Sequence, residues 1–419
     1  MTYYSRIRAF AAASAAFAAL SLPGVASAQT KTVDVFSHRY PFSEYYIETA
    51  MQGAVPGYDV RSNLSTFQQF GEKVRIGLAS GSDELDLIHC QGSKVREYGK
   101  NDWLEPIDDL WEKYRVEYQL DDIPENIVNE MRYDGKLYGF PFGLNTMFFF
   151  YRKDLFDEKG VKPPTTMEEY VDLAKAFNTP QRSGSQLTLQ PVETALNELH
   201  WHFNAAGPNG WLDDKTFKPT FNQPQGVKAI ELVKELSKYS PPGYLTNDNN
   251  AATVNFQQGL ATMGLQWASR AKAMDNPEQS KVVGKIDFAP PPGGGSRVVV
   301  IGFCLPSSSD IDREVRFRIL AEASKAERMR GGADFSIPSR LSVLSDSEIQ
   351  KSNRHFAAAI KTIETARDYP PVPEYSEVGE ILVRRVHQAL SDEMPVQDAL
   401  DEAAGEVTEL LRKRGYDIQ

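Results

Sequence analysis

Only two cysteines, Cys90 and Cys304, occur in 419 residues. This excludes a disulfide-framework fold and leaves stability to core packing. The two are read as separate buried thiols, with one bridge between them as the open alternative. Histidines number six, and no Cys/His cluster has metal-ligand spacing. Positive charge is in deficit: 46 Lys and Arg against 57 Asp and Glu leave a net −11. That balance argues against nucleic-acid backbones and anionic membranes as partners. Beyond the N-terminus no apolar run reaches transmembrane length, and no repeat of solenoid period is present.

The N-terminus is different. MTYYSRIR carries Arg6 and Arg8 and no acid, Ala9–Leu22 is apolar, and Pro23-Gly24 breaks the run. Ala26-Ser27-Ala28 then supplies small residues ahead of Gln29. The order reads as a signal peptide over 1–28, cleaved on export. The remainder exceeds one hydrophobic core, so two lobes are expected.

Strands and helices alternate along that remainder. TVDVF and LDLIHC read as strands. In STFQQFGEKVRIGLASG, Phe67, Phe70, Val74 and Leu78 recur at helical spacing. KLYGFPFGLNTMFFFY is a continuous aromatic run, expected as a buried extended segment. KPPTTMEEYVDLAKAF is a marked helix, capped by Thr165 or Thr166 with Glu168 or Glu169 as partner and Met167, Tyr170, Val171, Ala174 and Phe177 inward. QPQGVKAIELVKELSKY is a further helix, and RVVVIGFCLP a strand. The C-terminus is helical, with Leu400, Val407, Leu410 and Leu411 on one side. Such alternation without one clean linker implies α/β lobes that the chain enters and leaves more than once.

Catalytic and metal patterns are weak. His200 and His202, two apart on a helix, diverge and read as surface or pocket residues. Asp108-Asp109, Asp121-Asp122 and Asp213-Asp214 read as caps and solvated turns rather than the carboxylate pair of a glycosidase. PPPGGGSR lacks the ending of a phosphate loop, and Cys304 has no nearby histidine to activate it. What remains is aromatic and amide-bearing surface after strands: His38, Arg39 and Tyr40 in FSHRYPFSEYY, Gln91 after LDLIHC, and Trp267 in GLQWASR. In open α/β sheets, ligands sit beyond the carboxyl ends of strands. Rings that stack on C–H faces, beside side chains that bond hydroxyls, are the equipment for a sugar. In the same stretch Tyr45, Tyr46 and Ile47 read as core.

Several blocks resemble the bacterial extracellular solute-binding proteins of ABC importers, in the carbohydrate-binding branch of maltose-binding type. They are DGKLYGFPFGLNTMFFFYRKDLFDEKGVKPPTTMEEYVDLAKAF (Asp134–Phe177), NDWLEPIDDL, FQQGLATMGLQWASRAKAM, DYPPVPEYSEVGEILVRRVHQALSD and VQDALDEAA. Ile301-Gly302-Phe303-Cys304 departs from the family's Gly-Gly-aromatic run. The resemblance implies an α/β, two-lobed periplasmic-binding-protein fold, each lobe a sheet flanked by helices, with the ligand cleft between them. Crossings fall near Phe142–Asn145, Val300–Phe303 and Ser336–Arg340. Lobe one would hold 29–142 and 301–336, and lobe two 143–300 and 337–419. The implied pocket adds Phe67, Asn145, Arg270, Gly302, Arg340 and Tyr375 to His38, Arg39, Tyr40, Gln91 and Trp267.

The expected function is capture of a sugar, polyol or sugar derivative by hinge closure and delivery to an ABC permease, by a periplasmic monomer with no cofactor, metal or bond chemistry. Convergence of Arg39, Arg270 and Arg340 would instead imply an acidic sugar. The alternatives are a secreted hydrolase or lyase, or the same fold with a non-sugar cargo.

Overall fold

The computed structural model describes residues 30–418 apart from 208, 209 and 214. The leader expected over 1–28, and Asp214, lie outside the described residues. Strands β1 (Lys31–His38), β2 (Tyr58–Ser65) and β3 (Leu87–Gln91) run parallel. β4 (Arg132–Tyr133) and β5 (Lys136–Leu137) form a separate hairpin. β6 (Gly139–Arg152) is the long aromatic run, and β7 (Ser183–Gln186) and β8 (Ala261–Trp267) lie parallel to each other. β9 (Ile286–Ala289), β10 (Val298–Cys304) and β11 (Ile337–Pro338) complete the set. Nine of these strands make one mixed sheet, ordered β2-β1-β3-β10-β6-β8-β7, with β9 and β11 also paired to β6.

β6 is the spine. Its first part pairs with β10 up to Thr146, and its second part pairs with β8 from Met147. β11 lies on the far side of the first part, at Gly143 and Leu144. The three segments expected as crossings thus lie side by side as β10, β6 and β11. Buried on both faces, β6 needs no polar alternation. Phe148 and Phe150 pack into one core cluster, and Met147, Phe149 and Tyr151 into the other. That division follows the two-residue period of a strand.

Helices cover each half of the sheet. Phe67–Ser80 packs on β1, and Met167–Phe177 and Asn249–Gln257 pack on β7 and β8. Thr66 and Gln69 close a capping box on the first, and Gly81 ends it at φ 68°. Only glycine takes that left-handed turn without cost. On the second, Thr166 Oγ1 accepts the Glu169 amide, while the Glu169 carboxylate accepts from Thr165. Tyr170, Ala174 and Phe177 are buried there, and Leu400, Val407 and Leu411 in the C-terminal helix Val396–Lys413. Val171 and Leu410 are half-buried. Asp213 accepts the Thr216 amide, as a turn residue should, whereas Asp108 does not cap its helix but accepts from Arg132 and the Leu137 amide, tying it to the β4–β5 hairpin.

Two expectations are corrected. His200 and His202 are not surface residues; both are buried, and His202 lines a small pocket beside Met167 and Leu232. Their helix, Glu193–Ala206, carries ten buried residues and runs through the interior. Trp211 Nε1 donates to His200 Nδ1, so His200 Nε2 carries the proton that goes to the Arg367 carbonyl. The separate thiols are also overturned: Cys90 and Cys304 form a disulfide. The reason is register. β10 runs antiparallel to β3 with Gly302 opposite Cys90 and Cys304 opposite Ile88, which brings the two Cα atoms to 5.9 Å. The denatured, unreduced protein should therefore show no titratable thiol. Replacing both cysteines by alanine should cost about 2–4 kcal/mol in a denaturant titration. Two reactive thiols in untreated protein would contradict the bridge.

Candidate functional site

The strand ends build one wall. β1 stops at His38, and Pro41 opens the next helix, leaving Arg39 and Tyr40 at the sheet's edge. The His38 ring lies parallel to Tyr40 at 4.1 Å and meets the edge of Phe67 at 4.8 Å. The Tyr40 hydroxyl hydrogen-bonds His89 Nε2 at 2.9 Å. Burial lowers His89 to about 3, so its ring is neutral and can accept from Tyr40. Burial, then His89 and Arg270, hold His38 well below its ordinary value. Arg39 is exposed and forms an ion pair with Glu44 at 3.0 Å.

The facing wall comes from β6, β8 and two helices. Asn145 Oδ1 accepts the Ser269 amide, and its Nδ2 donates to Ser269 Oγ, both at 3.2 Å. Trp267 closes β8 opposite Met147. Arg270 donates to Asn250 Oδ1 at 2.7 Å. Asp248 caps the helix Asn249–Gln257 by accepting the Ala251 amide. Thr194 and Asn197 enter from the helix Glu193–Ala206, and Val299 and Ile301 from β10. Between the walls lies a cavity of about 50 Å³ for solvent centres. A more apolar chamber of about 190 Å³ adjoins it, sharing Phe67, Gln91 and Thr194 and running to Lys94, Tyr98 and Glu380. Among the described residues no group of acids, histidines or cysteines could hold a metal ion.

The structure brings together His38, Arg39, Tyr40, Phe67, Gln91, Asn145, Trp267 and Arg270 around this cavity. Three expected residues stay outside it. Arg340 is buried, donating to the carbonyls of Tyr118, Gln119 and Ser324, so it ties loops together. Tyr375 is buried behind the cavity, its ring against Tyr369 at 5.1 Å. Gly302 is needed for close strand approach: a Cβ there would fall 1.9 Å from the Phe140 oxygen, beside a bulge at Ile301/Gly302. The reading of residues also missed Asn197, Asp248, Asn249, Asn250 and Ser269. The run NDNN (247–250) is the signal that could have found three of them.

A strand-end cavity walled from both halves of a split sheet, with rings, amides and hydroxyls facing it, defines a two-lobed small-solute binder. The family described as bacterial extracellular solute-binding protein matches residues 39–315, and the chain belongs to it. The chain is 27% identical over 374 residues to a probable amino-acid ABC transporter periplasmic-binding protein of Sinorhizobium fredii, covering 84% of this chain and 83% of the relative. It is 22% identical to a mannitol-binding protein of Pseudomonas aeruginosa, over 96% of this chain and 98% of that one. An ABC transporter solute-binding protein of Agrobacterium radiobacter K84, solved with ribitol, superposes with a TM-score of 0.83 at 26% identity, covering 91% of this chain and 98% of the other. Among the described residues no helix is long and apolar enough to cross a membrane.

Burial gives a pH signature. His89, His200 and His355 are each lowered from 6.5 to about 3, burial being the first cause in each. In the unfolded chain they bind protons near the ordinary histidine value. Their contribution to stability is therefore complete above pH 6.5 and lost as pH falls from 6.5 toward 3. Each of the three takes up a proton on unfolding within that window. The melting temperature should be level near neutrality and fall steadily through that window. A level profile down to about pH 5 would contradict the buried neutral rings.

Proposed function

We propose that this protein captures a neutral sugar or polyol by closure of two lobes and delivers it to the membrane permease of an ABC importer. The proposal divides the chain into 29–142 with 301–336, and 143–300 with 337–419. It also takes residues 1–28 as a signal peptide and the periplasm as the place of action, with the protein working as a monomer. The observation that carries it is the cavity's chemistry. His38, Gln91, Asn145, Asn197 and Ser269 offer hydrogen bonds beside the Trp267 and Phe67 rings. Hydroxyls need those bonds, and C–H faces need the rings. Only the closed state lets both walls touch one ligand, so the ligand stabilises closure.

Charge supports a neutral cargo. Arg340 lies elsewhere, Arg39 is paired with Glu44, and Arg270 is engaged with Asn250. Asp248 offsets Arg270 and already serves as a helix cap. Of the cations lining this cavity, an acidic sugar would have only Arg270 outside an ion pair, its Nη1 already on Asn250, and a buried charge that is not fully paired is costly. The relative named for amino acids raises a zwitterion as cargo, for which Arg270 and Asp248 are the opposite charges lining this cavity. A hydrolase needs two facing carboxylates. Asp248 is the single one among the described residues lining this cavity. The adjoining chamber favours one further reading, a ligand long enough to extend from the cavity toward Tyr98 and Glu380.

A thermal-shift screen of polyols, monosaccharides, oligosaccharides, sugar acids and amino acids should show its largest rise with a neutral polyhydroxy compound. The largest shift with an acid or amino acid would overturn neutrality. Trp267→Ala should then weaken that ligand about tenfold, about 1.4 kcal/mol, in calorimetry. Unchanged affinity would remove Trp267 from the site.

A further inference from the structure

Arg297 stands just before β10 and has no solvent exposure. A guanidinium has five N–H donors and no acceptor, and all five are used. Nε donates to Asp368, Nη1 to Glu193 Oε1 at 2.9 Å and Asn197 Oδ1 at 2.5 Å, and Nη2 to Gln91 Oε1 and Ser93 Oγ, each at 3.1 Å. Burial works against the charge, but Tyr369, Asp368 and Glu193 outweigh it and hold Arg297 firmly protonated.

Gln91 and Asn197 line the central cavity. An amide can be turned either way, with its oxygen or its NH2 toward a neighbour. A donor-only neighbour removes that choice. With NH2 toward Arg297, donor would face donor. At Asn197 the Tyr369 hydroxyl is compatible with this orientation, donating to the same Oδ1 at 2.8 Å. Arg270 imposes the same orientation on Asn250.

We propose that Arg297 is the positioning residue that sets the hydrogen-bond polarity of the cleft. It takes the amide oxygens of Gln91 and Asn197, so both present NH2 donors, and the ligand must offer oxygen acceptors there. This rests on the reading of the central cavity as the solute site. Sugar and polyol hydroxyls meet the demand because each oxygen can accept. An ammonium group does not, since it has no lone pair to offer. The cleft therefore discriminates between a hydroxyl and a protonated amine at the same carbon through the unpaired donors an amine would leave.

The isosteric variants Gln91→Glu and Asn197→Asp test this. Each keeps an oxygen for Arg297 and deletes the NH2 facing the ligand. Without ligand, the melting temperature of Gln91→Glu should equal or exceed that of the parent, because a carboxylate accepts from a guanidinium more strongly than an amide does. With the polyol or sugar giving the largest thermal shift, affinity should fall at least about tenfold. A ligand-free drop in melting temperature would overturn the amide orientation. Unchanged affinity would overturn the donor role. If a variant does not fold, the parent protein is titrated with aminodeoxy analogues of the same polyol at neutral pH. At least one position should bind at least about tenfold more weakly than the hydroxyl form, and equal affinity at every position would overturn the proposal. A parent protein that binds no sugar or polyol would instead sink the functional reading, while the ligand-free comparison still judges Arg297.

Discussion

A fully buried guanidinium joins the two walls of the cleft. Arg297 reaches Gln91 and Ser93 on one side, Glu193 and Asn197 on another, and Asp368 beside Tyr369 on a third. Its planar face also lies 3.6 Å from the Tyr369 ring centroid. Burying a charge is expensive unless pairing and hydrogen bonding are complete. Here two carboxylates pair it and every donor is used. The geometry of the cavity wall follows from that completeness, because any of these acceptors that moved would leave a buried donor unmatched.

Around this node the surrounding contacts are weaker and more exposed. The helix Gly92–Lys100 meets the segment 368–376 through Arg96 with Asp368 at 3.3 Å, Lys94 with Ser376 at 2.8 Å, and Lys100 with Glu374. Arg96 and Asp368 are only 15% and 17% exposed and Glu374 only 6%, so salt screens these pairs less than it would surface ones. The covalent Cys90–Cys304 bridge sits on the other side of Gln91, joining β3 to β10. Gln91 is thus held from its backbone by the sheet and the disulfide, and from its side chain by Arg297.

Much of this was legible in the sequence because it is local. Helical periodicity and caps found Phe67–Ser80 and Met167–Phe177, and the unbroken aromatics of β6 announced a strand buried on both faces. The strand-end rule picked out His38, Arg39, Tyr40 and Gln91, which line one cavity. What escaped was non-local. The cysteine pairing depends on a β3–β10 register between residues 214 apart. Arg297 enters the sequence reading only as the first residue of the strand RVVVIGFCLP, and nothing in that run says that its partners lie near residues 91, 193 and 368. Arg340 and Tyr375 lie away from that cavity for the converse reason: a family position gives the neighbourhood of a side chain, but local packing decides which way it faces. His200 and His202 are buried although their residue type suggests surface, because their helix runs through the interior, where His202 meets a small pocket.

The central claim is that a neutral polyhydroxy ligand is held between Trp267 and the amides that Arg297 orients. A crystal structure with the ligand giving the largest thermal shift tests it most directly. The account predicts ligand oxygens at hydrogen-bond distance from Gln91 Nε2 and Asn197 Nδ2, both amide oxygens still on Arg297, and a C–H face against the Trp267 ring. A ligand seated wholly in the apolar chamber beside Lys94 and Glu380, or Gln91 and Asn197 accepting from it through their oxygens, would contradict the account.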